Sequence, residues 1–367
     1  MLASCCHCSM DVSQARFGNV FRAFHSVPKC FPKPLARPVA NRERKIAETF
    51  RDVSIVLKRT ETPRNVLCRD CAPTAYGSLQ TSITNVACNS FVTNVVWDGK
   101  PLVAERDIGI VQAALDTYSV VVLRNAELTL DEHIALTKLL GEPEVVTDMR
   151  NHHPDSLDVL VVNNLGLTPV IGNTCWHSDR SFLPTPTRHT ILHGVVVGAN
   201  GMGDTIFADM VGAYAEAPAD WKCLMEGAKG VHTYDKTARL RARLHNTEIE
   251  EYMTRYPPVR HPLVRSCCDD PGSNIPAAAL FISELCLAGL EYDDGTAVPG
   301  LTPDMLLEHA TQYRFLYRHR WVPGDVLIWD NRRVLHKVAS LTPGVPRVLH
   351  RTTTADDVPI PFTPNKN

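Results

Sequence analysis

Apolar residues recur along most of this chain in short runs that turn residues separate. Over residues 107–116 they are spaced as on one face of a helix, and residues 118–123 (YSVVVL) are typical of a buried strand. A second helix is predicted over residues 131–140, with Thr129 as its N-cap and Gly141 at its end. The pattern thus predicts both helices and strands.

Short strands outnumber helices in the rest of the pattern. Further strands are predicted at residues 157–163, 190–197, 204–208, 279–283 and 325–329. Two more helical segments are predicted at residues 214–225 and 303–317. Many short strands between Gly, Pro and Asp residues indicate a sandwich or barrel, so the fold class is mainly β with helices packed outside, not a doubly wound sheet.

The first stretch of the chain differs in composition from the rest. Residues 13–46 carry eight Lys and Arg but a single acid, Glu43, and prolines at 28, 32, 34 and 38 preclude a regular helix. We interpret residues 1–84 as a variable extension, either disordered or a mitochondrial transit peptide, and residues 85–367 as the catalytic domain. The expected location is cytoplasmic, or mitochondrial if the extension is a transit peptide.

Composition excludes several classes of protein. The formal net charge of -2 disfavours nucleic acid as a partner, and no apolar run is long enough to span a bilayer, so a soluble protein is expected. The twelve cysteines follow no regular framework, and the CxxC at Cys68–Cys71 lacks a second pair at zinc-ribbon spacing. Reduced thiols are therefore expected.

One short segment suggests a metal site. His177 and Asp179 are two residues apart, so in an extended segment their side chains project to the same side. His336 follows a predicted strand and a polar turn and can supply a third ligand. Two histidines and one carboxylate match the facial triad of non-haem iron(II) oxygenases, although the same set also suits a zinc hydrolase.

Two arginines follow the third candidate ligand. Arg347 and Arg351 are four residues apart, so both face the same way if they share a strand. On an inward face each needs an anionic partner, because a buried unpaired charge is costly. A diacid co-substrate and an anionic substrate would supply the two partners.

Four ordered segments together resemble the TauD/TfdA (taurine dioxygenase) family of Fe(II)/2-oxoglutarate oxygenases. They are residues 176–182 (WHSDRSF), 203–210 (GDTIFADM), 257–265 (PPVRHPLVR) and the C-terminal stretch 321–353. The similarity runs from about residue 84 to about residue 361. It implies a double-stranded β-helix, or jelly roll, with helices outside.

The resemblance also implies cofactors and roles. Fe(II), 2-oxoglutarate as co-substrate and O2 are expected. The implied iron ligands are His177, Asp179 and His336; Thr205 and Arg347 bind the distal carboxylate of 2-oxoglutarate; and Arg351, Asn173 and Phe182 lie on the substrate side. The implied reaction is hydroxylation, with cleavage where the product is unstable, of a small carboxylate-bearing or otherwise anionic molecule, with release of succinate and CO2.

Departures from the family pattern narrow these expectations. The histidine that binds the sulfonate in taurine dioxygenase has no counterpart at residues 141–146, which disfavours taurine. Residues 317–321 and 332–336 look closer to the aryloxyalkanoate-dioxygenase branch. Desaturation or ring formation at the same iron remains an alternative, as does a non-catalytic jelly-roll binding module, whereas the retained Asp179 disfavours halogenation. The sequence does not determine the oligomeric state, and a homo-oligomer is one alternative.

Overall fold

Strands dominate the part of the chain that the structure describes, as the apolar runs predict. The computed structural model describes residues 91–96, 105–145, 151–165, 174–198, 203–234, 246–267, 278–339 and 345–362. The predictions made for residues 1–84, for Cys68–Cys71 and for Asn173 lie outside these ranges.

The larger sheet has seven strands in the order β1-β2-β13-β5-β15-β4-β3. These strands are β1 (Val92–Val96), β2 (Val120–Arg124), β3 (His152–His153), β4 (Ser156–Asn163), β5 (Thr187–Val196), β13 (Val326–Asp330) and β15 (Val348–Ala355). β1 and β2 pair in parallel, and the other neighbours pair antiparallel.

Three smaller sheets complete the described strands. One has the order β12-β6-β14, one β11-β7-β8, and the last pairs β10 with β9. Their strands are β6 (Thr205–Asp209), β7 (Lys229–His232), β8 (Val259–Pro262), β9 (Val264–Ser266), β10 (Ala278–Leu280), β11 (Leu287–Glu291), β12 (Leu316–His319) and β14 (Val334–Val338). The expectation of a mainly β fold with flanking helices is confirmed.

The first two predicted helices form where the sequence places them. The described helices are α1 (Glu105–Thr117), α2 (Leu130–Leu140), α3 (Met210–Ala215), α4 (Ala219–Met225), α5 (Asn246–Arg255) and α6 (Pro303–Ala310). Thr129 caps α2: its side chain accepts from the Glu132 backbone N–H, and the Glu132 side chain accepts from the Thr129 N–H. This reciprocal pair satisfies two donors that a helix start leaves free.

The prediction of one helix over residues 214–225 is wrong. α3 ends at Ala215, Pro218 stands at the N-cap of α4 with extended backbone angles, and α4 begins at Ala219. Proline has no N–H to donate and its ring clashes with the preceding turn, so the helix cannot run through it.

The prediction of a helix over residues 303–317 is wrong in its second half. α6 ends at Ala310, and after a short 3-10 turn the chain forms β12, which pairs antiparallel with β6. The backbone of β6 needs hydrogen-bond partners on this side. That requirement comes from the tertiary structure, and local helical periodicity does not reveal it.

Alternating residues of the large sheet pack against different layers. Val120 and Val122 of β2 join a cluster with Phe207 of the small sheet, whereas Val121 and Leu123 join a cluster with residues of α1 and α2. One face of the large sheet is therefore covered by helices, and the other faces the small sheet β12-β6-β14. No helix in the described ranges is long and apolar enough to cross a membrane.

A row of histidines lies on the helix-covered face of the large sheet. The ring of His133, on α2, is 6.1 Å from that of His193, on β5, and His193 is 6.3 Å from His350, on β15. Burial and, to a smaller extent, the two neighbouring imidazoles lower the pKa of His133 from 6.5 to about 3. Burial likewise lowers the pKa of His350 to about 4.

This row predicts a loss of stability in acid. His133 stays neutral in the folded protein but takes up a proton below about pH 6.5 once the chain unfolds. The unfolded state therefore binds more protons between about pH 6.5 and 3, and the free energy of unfolding falls as the pH falls through that window. Replacing His133 by Gln is expected to reduce this slope by about 1 kcal/mol per pH unit.

Urea unfolding at pH 7.5, 6.5 and 5.5 measures the slope. His152→Gln, which replaces a half-buried histidine on β3, is the control. Equal pH slopes in the parent and in His133→Gln would contradict the prediction.

Candidate active site

Two histidines from distant parts of the chain meet beside the small sheet. His336 lies in β14, and His177 forms an isolated antiparallel bridge with it. The His177 N–H donates to the His336 carbonyl at 3.0 Å, and the His336 N–H donates back at 2.9 Å. The ring centroids are 4.2 Å apart. The backbone pairing thus sets the two imidazoles side by side.

The Asp179 carboxylate completes the group. Its Oδ1 lies 3.8 Å from Nε2 of His177 and 3.8 Å from Nε2 of His336. All three candidate ligand atoms lie within 4.8 Å of one another, and all three residues are buried. The structure therefore brings together the three residues that the sequence singled out.

The site favours neutral imidazoles and an ionised carboxylate. Burial lowers the pKa of His336 to about 3 and also lowers the pKa of His177. Burial raises the pKa of Asp179, but the Arg351 guanidinium and the two imidazoles outweigh it, so the carboxyl pKa lies below its ordinary value. Neutral imidazoles and a carboxylate are the forms that bind a metal ion.

The orientation of one ligand is fixed by its second nitrogen. Nδ1 of His177 lies 2.9 Å from the carbonyl oxygen of Cys175. Since a carbonyl only accepts, Nδ1 carries the proton and the lone pair is on Nε2, the nitrogen nearer Asp179.

The three ligand atoms fit a divalent metal ion. Ligands in adjacent positions of an octahedral ion at about 2.1 Å are about 3 Å apart, so side-chain shifts of less than about 1 Å close the 3.8 Å separations around an ion. Two nitrogens and one oxygen also match the donors that non-haem iron(II) sites use.

Three residues that the sequence analysis did not assign a role hold the carboxylate. Thr190 Oγ1 donates to Asp179 Oδ2 at 2.6 Å, and Asn331 Nδ2 donates to Thr190 Oγ1 at 2.9 Å. Trp329 Nε1 donates to Asn331 Oδ1 at 3.1 Å. The polar turn before His336 could have indicated Asn331, but nothing in the sequence distinguishes Thr190 from an ordinary β-branched strand residue.

Arg347 is a buried cation without an ion-pair partner among the described residues. It is 3% exposed, and its guanidinium forms no hydrogen bond or ion pair within those ranges. Burial lowers its pKa to about 10, while the charge of Asp204 opposes this. Asp204 directly precedes Thr205, so Arg347 lies near the start of β6. Thr205 Oγ1 accepts from Trp321 Nε1 at 3.2 Å, which leaves its own proton free to donate.

Arg351 contacts the metal site directly. Its Nη2 lies 2.9 Å from Asp179 Oδ1. The prediction that Arg347 and Arg351 share one strand needs a correction, because β15 begins at Val348 and its register with β5 shifts between Val348 and Leu349. Both guanidinium groups are nevertheless largely buried. Their burial therefore does not require that the two arginines lie on one regular strand.

Phe182 lies in a group of aromatic rings. Its ring packs edge-to-face against Tyr234 at 4.5 Å and against Tyr256 at 5.3 Å between centroids. The sequence did not indicate the two tyrosines. Asn173, the other predicted substrate-side residue besides Arg351, lies outside the described ranges.

Comparison with known proteins places this geometry in context. The family described as "Taurine catabolism dioxygenase TauD, TfdA family" matches residues 94–353. The chain is similar to the alpha-ketoglutarate-dependent 2,4-dichlorophenoxyacetate dioxygenase of Cupriavidus pinatubonensis, with 33% identity over 71% of this chain and 92% of the relative. It is also similar to the alpha-ketoglutarate-dependent sulfate ester dioxygenase of Pseudomonas putida, with 30% identity over 68% of this chain and 81% of the relative.

A solved structure shows the same similarity. The crystal structure of AAD-2 in complex with Mn(II) and N-oxalylglycine superposes with a TM-score of 0.62 and 27% identity, over 77% of this chain and 99% of that one. The predicted resemblance to the aryloxyalkanoate branch agrees with these relatives and is confirmed.

The geometry predicts how metal binding depends on the triad. His177→Ala removes one of three ligands, and we expect its affinity for Mn(II) to fall by more than about 100-fold, because even changes outside the ligand set commonly cost about 10–100-fold. Isothermal titration calorimetry with Mn(II), which avoids oxidation, measures the affinity and stoichiometry. His152→Ala is the control and is expected to bind like the parent. A His177→Ala protein with parental affinity would exclude His177 as a ligand.

Proposed function

This chain belongs to the TauD, TfdA dioxygenase family, and from that membership we propose that it hydroxylates a small carboxylate-bearing or otherwise anionic molecule, with release of succinate and CO2. It is a 2-oxoglutarate-dependent dioxygenase, a class that uses Fe(II), 2-oxoglutarate and O2. The family excludes the zinc hydrolase that the His/Asp/His set alone also allows.

The metal ligands in this proposal are His177, Asp179 and His336. Their ligand atoms converge within 4.8 Å, and they carry the protonation states that a divalent ion requires. Bound there, Fe(II) supplies the oxidation chemistry with 2-oxoglutarate and O2 as co-substrates. The side chains around it hold the two organic molecules in place.

The observation that carries the proposal is the buried, unpaired guanidinium of Arg347. Burying a charge without a partner is very costly, so an anion is expected to bind there. Arginine offers two parallel N–H groups that match a carboxylate. With the Thr205 hydroxyl nearby, this position fits the distal carboxylate of 2-oxoglutarate.

Arg351 is proposed to bind the anionic group of the primary substrate. Of its N–H groups, Nη2 contacts Asp179, and the remaining ones have no partner in the described part of the chain. The substrates that the relatives' names state, 2,4-dichlorophenoxyacetate and a sulfate ester, are both anions. Phe182, in its aromatic cluster, is proposed to line the apolar part of the pocket.

The fold proposed for residues 85–367 is a double-stranded β-helix. The seven-stranded sheet and the sheet β12-β6-β14 face each other across a shared apolar cluster. The candidate ligands lie between these sheets, since His336 belongs to the small sheet and Asp179 contacts Thr190 and Arg351 of the large one.

The first test of function is optical. We expect anaerobic addition of Fe(II) and 2-oxoglutarate to give a weak visible charge-transfer band, because the co-substrate chelates the ion. Replacing Arg347 by Gln removes the charge at the distal carboxylate, and the 2-oxoglutarate concentration that half-saturates the band is expected to rise about 10- to 100-fold. The affinity for Mn(II) is expected to change little.

Arg314→Gln is the matched control, because Arg314 is exposed on the 3-10 turn and pairs with Glu216. Absence of a band in the parent would overturn the proposed function. A loss of metal affinity in Arg347→Gln that equals the loss of 2-oxoglutarate affinity would reassign Arg347.

A second test concerns the substrate. Screening organic acids for stimulated succinate release identifies a substrate, and Arg351→Gln is then expected to lose most of this stimulation, because the anionic group has no cation to bind. The anaerobic Fe(II)/2-oxoglutarate band is expected to remain. Unchanged substrate-stimulated succinate release in Arg351→Gln would remove Arg351 from the substrate site.

A further inference from the structure

The two oxygens of the Asp179 carboxylate lie in different environments. Oδ1 faces both imidazoles, at 3.8 Å from each Nε2, and lies 2.9 Å from Arg351 Nη2 in an ion pair. Oδ2 accepts from the Thr190 hydroxyl at 2.6 Å. The oxygen that points toward the candidate metal position is therefore distinct from the oxygen that the Thr190 hydroxyl holds.

The hydrogen bonds that reach Oδ2 run in one direction. Trp329 Nε1 can only donate, so Asn331 Oδ1 is the acceptor at 3.1 Å. The backbone N–H of Asp179 donates to the same oxygen at 3.2 Å, which fixes the amide orientation. Asn331 Nδ2 then donates to Thr190 Oγ1 at 2.9 Å, so the Thr190 hydroxyl proton is directed at Asp179 Oδ2.

The regular sheet anchors this chain of hydrogen bonds. Thr190 and Trp329 are direct partners in the register of β5 and β13. The Asn331 N–H donates to the Arg188 carbonyl at 2.8 Å, and the Asn331 carbonyl accepts from the Ser178 hydroxyl at 2.9 Å. The side chains of Thr190, Trp329 and Asn331 are buried, so water does not compete for the bonds between them and each bond polarises the next.

We propose that Thr190 and Asn331 are positioning residues that keep Asp179 a one-oxygen ligand of the metal. If the site held an octahedral ion with two imidazoles, one carboxylate oxygen and a bidentate 2-oxo acid as ligands, one position would be left for O2. A second oxygen from Asp179 would fill that position. By occupying Oδ2, the Thr190 hydroxyl reserves the position for O2. This inference rests on the proposed function.

The test replaces the Thr190 hydroxyl without changing its shape. Thr190→Val removes the donor, whereas Thr190→Ser keeps it and is expected to behave like the parent. The matched control is Thr187→Val. Thr187 is buried in the same strand and donates to Glu144 Oε2 at 2.6 Å, so this variant loses the same kind of bond to a carboxylate outside the metal site.

Two readouts report coordination rather than turnover. In crystals grown with Mn(II), we expect both Asp179 oxygens within about 2.4 Å of the metal in Thr190→Val, and one in the parent, Thr190→Ser and Thr187→Val. In solution we expect the anaerobic Fe(II)/2-oxoglutarate band of Thr190→Val alone to shift in energy. Succinate formation in Thr190→Val is expected to fall about 10-fold or more.

The outcomes separate the two claims. A parent without a band overturns the proposed function and this inference with it. The inference alone is overturned if the parent shows the band while Thr190→Val gives an unshifted band and binds the metal through one Asp179 oxygen. If Thr190→Val does not fold by circular dichroism, Thr190→Cys replaces it, because a thiol is a weak donor and a smaller shift of the same kind is expected. An unshifted band in Thr190→Cys would then overturn the inference.

Discussion

His177 and His336 exchange two backbone hydrogen bonds, and the geometry of the candidate active site depends on that pairing. The bridge extends the small sheet by one residue pair and brings two imidazoles from distant segments to within 4.2 Å between ring centroids. Once it forms, Asp179, two residues after His177, is directed at the large sheet, where Thr190 binds one of its oxygens. The site thus lies between two sheets, and strand pairing in each sheet positions its side chains.

The two buried arginines of this site differ in how their charge is compensated. Arg351 and Asp179 compensate each other at 2.9 Å, so neither is an isolated charge in a region of low dielectric constant. Arg347 is more deeply buried but forms no ion pair in the described ranges, and burial lowers its pKa. A protein tolerates that cost where a ligand supplies the missing charge. Folding has therefore left a buried cation without an ion pair in the described ranges, at the position that we propose for the co-substrate carboxylate.

Buried neutral histidines have different consequences on the two faces of the large sheet. On the inner face, burial keeps His336 deprotonated and available to a metal ion. On the outer face, burial of His133 and His350 has the same effect on their pKa values but offers no comparable ligand group, since the triad is the metal-ligand cluster found in the described residues. There it makes folding sensitive to acid. The same desolvation thus supports chemistry on one side and costs stability on the other.

The sequence by itself determined the elements whose signals are local. The N-cap of α2, the buried strand β2 and the H-x-D segment were all predicted, because capping, apolar runs and two-residue spacing act between near neighbours. The helix break at Pro218 is also a local signal, which the prediction of one helix over residues 214–225 overlooked. The end of the helix that begins at Pro303 is different, since the pairing of β12 with β6 decides it. Nor could the sequence reveal Thr190: a threonine in a strand gains its role only when β5 lies opposite Asp179. Only the tertiary structure decided which oxygen of that carboxylate faces the imidazoles, because the hydrogen bonds that hold the other oxygen join residues from three separate segments.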